Sequence, residues 1–328
     1  MSEQVAISAA CAEAAERAMA GLAVGAAQAL ELARNSPLDE LLLVAGRVRE
    51  AHFANRLHCC AITRVRSGNC SEDCSFCAQS AHHQTGFRAE EPLTEGRARQ
   101  LARAALEAGA GGFGMVASGC GPAAGDLQRY CDLARAIAAE GVVPHASLGV
   151  LGAESAEELA RAGVKVYNHN LETSRSFFAE VCTTHDYDQR LATLEAVSAA
   201  GMERCCGGIF GLGESWQDRI ELGAELAALG IERVPLNFLH PIPGTPLESR
   251  EVLSAREALR IIAVFRLMLP RSLIQVCGGR ELVLGSLQPL AFAAGATGVI
   301  LGNYLATGGQ SVDMDLAMFR DLGLELVS

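Results

Sequence analysis

Three cysteines, Cys70, Cys74 and Cys77, have the most specific spacing for chemistry in this chain, since three and then two residues separate them. Three thiolates at this spacing can hold three irons of a 4Fe-4S cube and leave the fourth iron free to bind a substrate or cofactor. The alternatives are a zinc knuckle and chance clustering in a chain with 12 cysteines. Because structural zinc sites are closed by a fourth Cys or His, the open triple favours the cluster.

The composition predicts a large core and excludes two classes of partner. Of the 328 residues, 50% are apolar and only 20% are charged, which suits a single parallel barrel of ordinary size. The net charge of -11 argues against a nucleic-acid surface or an anionic membrane as partner.

The N-terminal segment does not read as a signal peptide. Residues 1–32 are rich in Ala, and Glu13, Glu16 and Arg17 interrupt them, so a basic start and an unbroken apolar stretch are both missing. No apolar run approaches the length of a membrane span. Cysteines in a chain without an export signal indicate reduced thiols and metal ligands. We therefore expect a cytoplasmic protein.

Short apolar runs that favour strands alternate with long amphipathic segments that favour helices. Gly residues stand just after six of the predicted helices, as C-terminal caps do. Eight such repeats predict an α/β fold, a single parallel eight-stranded TIM-type barrel over residues 51–328, preceded by a helical extension over residues 1–50. The predicted strands are 57–65, 112–117, 142–148, 164–168, 202–209, 233–238, 273–277 and 298–301, and the predicted helices are 94–108, 125–139, 155–162, 187–200, 215–229, 254–269 and 281–294.

Barrel geometry places the three cysteines at the catalytic end. They follow the first predicted strand directly, and catalytic groups of such barrels lie at the carboxyl ends of the strands. The sequence therefore predicts a cluster at the mouth of the barrel.

The chain resembles the radical S-adenosylmethionine enzymes and, among them, the biotin synthases. The general signature is the cysteine triple with an aromatic residue, Phe76, before its last member. The more specific segments are YNHNLETS at 167–174, GGIFGLGE at 207–214, VPLN at 234–237 and GTPL at 244–247. The resemblance covers residues 40 to 325, which is nearly the whole chain.

The resemblance implies a cofactor and the residues that bind it. The free iron would bind the amino and carboxylate groups of S-adenosylmethionine, whose reductive cleavage yields a 5'-deoxyadenosyl radical that abstracts hydrogen from unactivated carbon. Asn170, Glu172 and Arg190 match positions that contact the ribose and methionine parts, and Ile209 matches the position that packs on adenine. Glu172 stands where many members of the family carry Asp.

The resemblance also implies dethiobiotin as the substrate. Asn170 and Asn237 match positions that bind its ureido ring, and amides suit a cyclic urea because they donate and accept hydrogen bonds. Thr307 is expected near the substrate carboxylate, although Ala306 and Gly308 make this stretch unlike the usual threonine pair. The family implies an electron donor such as flavodoxin or ferredoxin, and a homodimer.

The chain departs from the common family pattern inside the barrel. There, three strand cysteines and one arginine hold a sulfur-donating 2Fe-2S cluster, and the corresponding positions here are Gly114, His145, Cys205 and Gln275. One ligand of four remains. The usual form of that cluster is therefore not expected.

New cysteines on the predicted strands offer a replacement. Side chains of a strand alternate between the two faces, so Cys277 shares the inward face of Gln275, and Cys60 matches an inward position as well. Cys60, Cys205 and Cys277 thus form a second candidate triple, suited to an auxiliary four-iron cluster. The alternative is that they are small buried hydrophobic residues. Cys59 and Cys206 are expected to face the helices unless a bulge reverses them, and His145 is the rival ligand.

Three functions follow from these patterns. The first is biotin synthesis with sulfur from an unusual auxiliary cluster. The second is a related radical enzyme, such as a hydrogenase or pyrrolysine maturation enzyme, with another substrate. The third is an electron carrier without catalysis, which leaves the segments 167–174 and 207–214 unexplained.

Overall fold

The structure is a computed structural model that describes residues 7–305 and 307–327. Over these residues strands and helices alternate along most of the chain. The strands are β1 (Arg56–Arg66), β2 (Gly112–Ala117), β3 (Val143–Ser147), β4 (Val166–Asn168), β5 (Glu203–Cys205), β6 (Gly208–Phe210), β7 (Arg233–Phe238), β8 (Leu273–Val276), β9 (Gly298–Ile300) and β10 (Glu325–Val327). The helices are α1 (Ala9–Met19), α2 (Ala26–Asn35), α3 (Leu38–Phe53), α4 (Glu95–Glu107), α5 (Asp126–Ala138), α6 (Ala153–Arg161), α7 (Tyr187–Ala199), α8 (Trp216–Leu229), α9 (Ala255–Met268), α10 (Arg280–Leu284), α11 (Leu290–Ala293) and α12 (Val312–Asp321).

The strands close into a parallel barrel of eight positions. Each strand pairs in parallel with the next, β5 and β6 together fill one position, and β9 returns to pair with β1. Cys60 on β1 is in register with Gly112 on one side and Ile300 on the other. The predicted fold is confirmed. β10 is an addition to the prediction, and it pairs with the first residues of β1, Arg56 to His58.

The predicted fifth strand is divided between Cys205 and Gly208. A Cβ atom on Gly207 would lie 1.9 Å from the carbonyl oxygen of Pro235, and one on Gly208 would lie 2.4 Å from that of Glu172. The backbone therefore passes too close to its neighbours for any side chain. The carbonyl of Gly207 accepts hydrogen bonds from the amides of Leu171 and Glu172, both at 3.1 Å, which takes it out of the regular ladder.

Local sequence signals set the helix ends. The six glycines predicted to cap helices all have positive φ, and Asp186 and Ser215 each begin a helix with a capping box. The predicted helix at 281–294 is instead broken into α10, a 3₁₀ turn and α11. Gly285, at φ 51, and Pro289, which lacks an amide proton, interrupt it.

The N-terminal helices pack on the outside of the barrel. Buried residues of α1, α2 and α3 belong to the same hydrophobic core as α8 and α9. Arg260 on α9 donates to the carbonyls of Ala33 and Ser36, at 3.1 and 2.7 Å, and Arg49 on α3 donates to Ala296 at 2.8 Å. Among the described residues, no helix combines the length and apolar character needed to cross a membrane.

Candidate functional site

The loop after β1 brings the three predicted cluster cysteines to one cavity. Cys70, Cys74 and Cys77 all line a space of about 220 Å³ at the mouth of the barrel, and all three are free thiols. The backbone amide of Gly119 donates to the Sγ atom of Cys70 at 3.2 Å. Such an N–H···S contact is typical of a thiolate that binds iron. The predicted triple is therefore spatially gathered and open to the barrel mouth.

Two carboxylates within this loop attach it to the segment that precedes α7. Asp73 accepts hydrogen bonds from the amides of Thr183 and Thr184, at 2.9 and 3.2 Å. Glu72 accepts from the Thr184 hydroxyl at 2.8 Å and lies 2.5 Å from Nδ1 of His185. Burial opposes ionisation of Asp73, but the hydrogen bonds from Thr183 dominate and hold its pKa far below the usual range. No local sequence pattern predicts this attachment, because the partners are more than 100 positions apart.

Asn170, Glu172 and Arg190 form the opposite wall of the mouth cavity. The carbonyl of Asn170 accepts a hydrogen bond from the Nη1 atom of Arg190 at 2.5 Å. The Asn170 side-chain oxygen accepts from the amide of Gly207 at 3.2 Å. Glu172 adopts φ 68, and its carbonyl accepts from the amide of Ile209 at 2.8 Å. The two predicted cofactor-binding segments are thus hydrogen-bonded to each other.

The carboxylate of Glu172 is buried and only partly paired. Its Oε1 atom lies 3.6 Å from Nη1 of Arg190, while its Oε2 atom is buried without a hydrogen-bond partner. Burial raises the pKa of Glu172, and the charge of Arg190 opposes that rise. An unpaired buried oxygen costs about 1–3 kcal/mol, so a hydroxyl or ammonium group at this position would be stabilised. The residues fit S-adenosylmethionine at the open side of a cluster.

Phe76, Ile209, Asn237 and Thr307 line a neighbouring cavity of about 290 Å³. Asn237 donates to the carbonyl of Gly208 at 3.2 Å and accepts from the amide of Gly278 at 3.0 Å. One amide hydrogen and one oxygen lone pair remain for a ligand. Phe76 and Ile209 supply an apolar surface on the same side of the mouth. Position 306, next to Thr307, lies outside the described residues.

A third cavity, of about 200 Å³, occupies the interior of the barrel, and Cys60, Cys205 and Cys277 all line it. It shares Asn168 and Asn170 with the mouth cavity and Asn237 with the neighbouring one. The Nδ2 atom of Asn168 lies 3.3 Å from the Sγ atom of Cys205. The second predicted triple is therefore also gathered in one place, below the predicted substrate position.

Cys59 and Cys206 lie on the other side of their strands. Both are buried in the main hydrophobic core, whereas Cys60, Cys205 and Cys277 do not belong to that core. Cys206 lies in the break between β5 and β6, and its side chain still packs in the core rather than toward the interior cavity. The alternation expected from the sequence is thus confirmed for both cysteine pairs.

His145 and Gln275 line the interior cavity as well, together with Gly114. The amide nitrogen of Gln275 lies 3.7 Å from the Sγ atom of Cys60, so it can only donate weakly to that sulfur. A Cβ atom on Gly112 would lie 2.2 Å from the His145 ring, which places the imidazole against β2. Burial lowers the pKa of His145 to about 3, so the ring is neutral.

Burial keeps the three interior thiols protonated unless a metal replaces their protons. It raises the pKa of Cys205 to about 12 and the pKa values of Cys60 and Cys277 as well. Arg233, which is in register with Cys205, opposes this rise for Cys60 and Cys205. Metal binding deprotonates cysteine outright, so these thiols suit an iron site better than a nucleophile.

Two family models match most of the chain. The model of the radical SAM superfamily matches residues 65–226, which include the cysteine triple and the cofactor-binding segments. The model of the biotin and thiamin synthesis associated domain matches residues 235–325, which include Asn237, Cys277 and Thr307.

Curated relatives match almost the full length. The chain is 46% identical over 308 residues to a biotin synthase of Trichlorobacter lovleyi, covering 93% of this chain and 92% of that protein. It is 45% identical over 317 residues to a biotin synthase of Geotalea daltonii, covering 95% and 96%.

Solved structures support the fold alone, because their identities are low. Methylornithine synthase superposes with a TM-score of 0.84 at 19% identity, covering 96% of this chain and 97% of that one. The hydrogenase maturase of Carboxydothermus hydrogenoformans superposes with a TM-score of 0.82 at 18% identity, covering 97% and 80%.

Proposed function

The chain belongs to the biotin synthase family of radical S-adenosylmethionine enzymes, and we propose that it converts dethiobiotin into biotin with the residues of the three connected cavities. The observation that carries this proposal is the shared lining of these neighbouring cavities, since Asn170 lines both the mouth and the interior cavity and Asn237 lines both the interior and the outer one. The alternative of a maturation enzyme with another substrate is not favoured, since its structural likeness is limited to the fold while the relatives at about 45% identity are biotin synthases.

The family cofactors are a 4Fe-4S cluster, S-adenosylmethionine and an auxiliary iron-sulfur cluster. When bound, they supply a hydrogen-abstracting radical and the inserted sulfur. We assign Cys70, Cys74 and Cys77 to the first cluster. Glu172 and Arg190 bind the polar part of the cofactor, which the unpaired oxygen of Glu172 supports, and Phe76 and Ile209 bind its adenine.

We assign substrate binding to Asn170 and Asn237. Both side chains are held by backbone hydrogen bonds, so their free amide groups are fixed in direction. The free amide hydrogens of both side chains would pair the carbonyl of a ureido ring between them, and the remaining lone pair of the Asn237 oxygen would accept from one of its N–H groups. Thr307 is assigned to the substrate carboxylate because it lines the outer cavity at the rim.

We assign the auxiliary cluster to Cys60, Cys205 and Cys277. Three free thiols on one cavity support a four-iron cluster with one open iron. Gly114 and Gln275 replace side chains that would hold the usual 2Fe-2S form. The position of these thiols beneath Asn170 and Asn237 supports sulfur transfer to a substrate bound there.

Anaerobic reconstitution tests the function directly. The protein is loaded with iron and sulfide and incubated with S-adenosylmethionine, a low-potential reductant and dethiobiotin, and the products are identified by mass spectrometry. We expect biotin and two deoxyadenosines for each biotin, because the methyl carbon and the ring-adjacent methylene each lose one hydrogen. Deoxyadenosine without biotin or a thiolated intermediate, from protein with both clusters intact, would refute the proposal.

Asn237→Ala tests the assigned substrate contact. We expect the KM for dethiobiotin to rise by roughly tenfold to a hundredfold, because a buried urea group left unpaired costs about 1–3 kcal/mol. The readout is biotin formation as a function of dethiobiotin concentration. Asn35→Ala, at an exposed position on α2 whose side chain bonds only to Glu31, is the matched control. An unchanged KM in Asn237→Ala would remove this residue from the substrate site.

The proposal extends to partners, location and domains. A flavodoxin or ferredoxin is proposed as the electron donor, and a cytoplasmic homodimer as the working form, on the basis of the family. The net charge of -11 is consistent with the absence of nucleic-acid and membrane partners.

We also propose residues 1–50 as a helical extension of one barrel domain, residues 51–328, which the packing of α1 to α3 on α8 and α9 supports.

A further inference from the structure

Cys182 and His185 lie beside the first cysteine triple, and neither has a role in the cluster or cofactor binding assigned above. Cys182 follows the 3₁₀ turn Phe178–Glu180, and His185 precedes α7. One donor atom each of Cys74, Cys182 and His185 lies within 4.8 Å of the others. The Sγ atom of Cys182 is 3.3 Å from Nδ1 of His185 and 3.1 Å from a carboxylate oxygen of Asp73. Two thiols and an imidazole therefore converge, and the Asp73 carboxylate contacts one of the thiols.

These separations are close to those between ligands of one tetrahedral metal ion. With metal–sulfur bonds of about 2.3 Å and metal–nitrogen bonds of about 2.0–2.1 Å, neighbouring donor atoms lie roughly 3.5 to 3.8 Å apart. The Cys182 contacts need to lengthen by only a few tenths of an ångström. Thiolate and imidazole donors together select zinc and iron over magnesium and calcium.

We propose that the cluster-free protein binds one divalent transition-metal ion, Fe²⁺ or Zn²⁺, through Cys74, Cys182 and His185, with Asp73 as the fourth ligand. This site is separate from the cube assigned to Cys70, Cys74 and Cys77 but shares Cys74 with it. Occupation of the two is therefore mutually exclusive. In this arrangement the single ion holds the cluster loop closed before the cube is assembled, and gives up Cys74 when it forms.

The hydrogen bonds of His185 define the proton changes on binding. Its Nε2 atom accepts from Arg190, at 3.0 Å from Nε and 2.7 Å from Nη2, so the proton of the neutral ring lies on Nδ1, facing Glu72. Binding at Nδ1 moves that proton to Nε2, and each of the two cysteines that carries a proton releases it to solvent. Arg190 then has to turn away, and the unpaired Oε2 atom of Glu172 offers it a new partner.

Cobalt titration of the cluster-free full chain tests this site by metal binding alone, with no measurement of enzymatic activity. Co²⁺ in a tetrahedral thiolate site gives strong d–d bands and a thiolate-to-metal charge-transfer band. We expect Cys182→Ser and His185→Ala each to weaken binding of the first equivalent by roughly tenfold or more, since a lost direct ligand costs at least as much as a lost supporting hydrogen bond. The interior thiols are present in the parent and in every variant. The difference between the spectrum of the parent and that of a variant therefore reports the site that the replacement changes.

Cys70→Ser and Cys77→Ser are the matched controls, because they remove cube ligands but none of these donors. Binding in both is expected to equal that of the parent. The proposal is overturned if Cys182→Ser or His185→Ala binds cobalt as tightly as the parent. It is also overturned if Cys77→Ser loses as much cobalt affinity as these variants do, because the ion would then belong to the cube ligands. Because no substrate or radical chemistry is read, failure here leaves the proposed function untouched.

Discussion

Replacing any one of Cys70, Cys74 and Cys77 with Ala is expected to abolish cleavage of S-adenosylmethionine. Two thiolates leave the cube without its third protein ligand, and the electron then has no route to the cofactor. Deoxyadenosine, measured after anaerobic reconstitution with a reductant, should fall to background in all three variants. The loss should be the same with and without dethiobiotin, because it precedes any step on the substrate.

Cys120→Ala is the control for this result. Cys120 lines the same cavity as the triple, yet it stands outside the assigned ligand set and its side chain is exposed. It should retain deoxyadenosine formation at the parental rate. If Cys120→Ala loses cleavage while one of the three assigned variants keeps it, the cube has a different third ligand.

The barrel could be predicted from the sequence because its signals are local. Strand runs, amphipathic helices and glycine caps each depend on residues a few positions apart, and they predict all eight barrel positions. The division of the fifth strand has no local signal, because the backbone at Gly207 and Gly208 is set by close approach to Pro235 and Glu172. β10 was missed because a three-residue strand has no periodic pattern of its own and is defined by its pairing with β1.

The parts of the candidate site that depend on local spacing could also be predicted from the sequence. Motif spacing located Cys70, Cys74 and Cys77, and strand alternation located Cys60, Cys205 and Cys277 on one inner surface. Cys182 belongs to no sequence motif, whereas the structure places it against Cys74 and Asp73. Its position depends on how the loop after β1 meets the segment before α7, a contact over 109 positions that no local pattern encodes.

Shared walls link the two proposed cluster sites. Asn168 and Asn170 line both the mouth cavity and the interior cavity, and Asn168 bridges Asn170 and Cys205 with hydrogen-bond distances of 3.2 and 3.3 Å. A substrate held at Asn170 and Asn237 would therefore have the radical source on one side and the interior thiols on the other. Loss of the interior thiols should stop sulfur transfer and leave the radical source intact.

The variant with Cys60, Cys205 and Cys277 all replaced by Ala is accordingly expected to cleave S-adenosylmethionine and form no biotin. Iron analysis should show loss of the auxiliary cluster only, and Mössbauer spectra should show the first cluster unchanged. Deoxyadenosine formation is the internal evidence that the variant is folded and loaded at the mouth. Each replacement removes a buried sulfur, so some loss of stability is also expected.

The variant with Cys59→Ala and Cys206→Ala is the matched control, since it removes two buried thiols that are adjacent in sequence to Cys60 and Cys205 but pack in the outer hydrophobic core. Retention of biotin formation there, together with its loss in the triple variant, would tie sulfur donation to the barrel interior rather than to thiol content. His145→Ala separates the rival assignment, because a neutral imidazole can also bind iron. Parental iron content in the triple variant, or loss of the second cluster in His145→Ala alone, would show that the three interior cysteines are not its ligands.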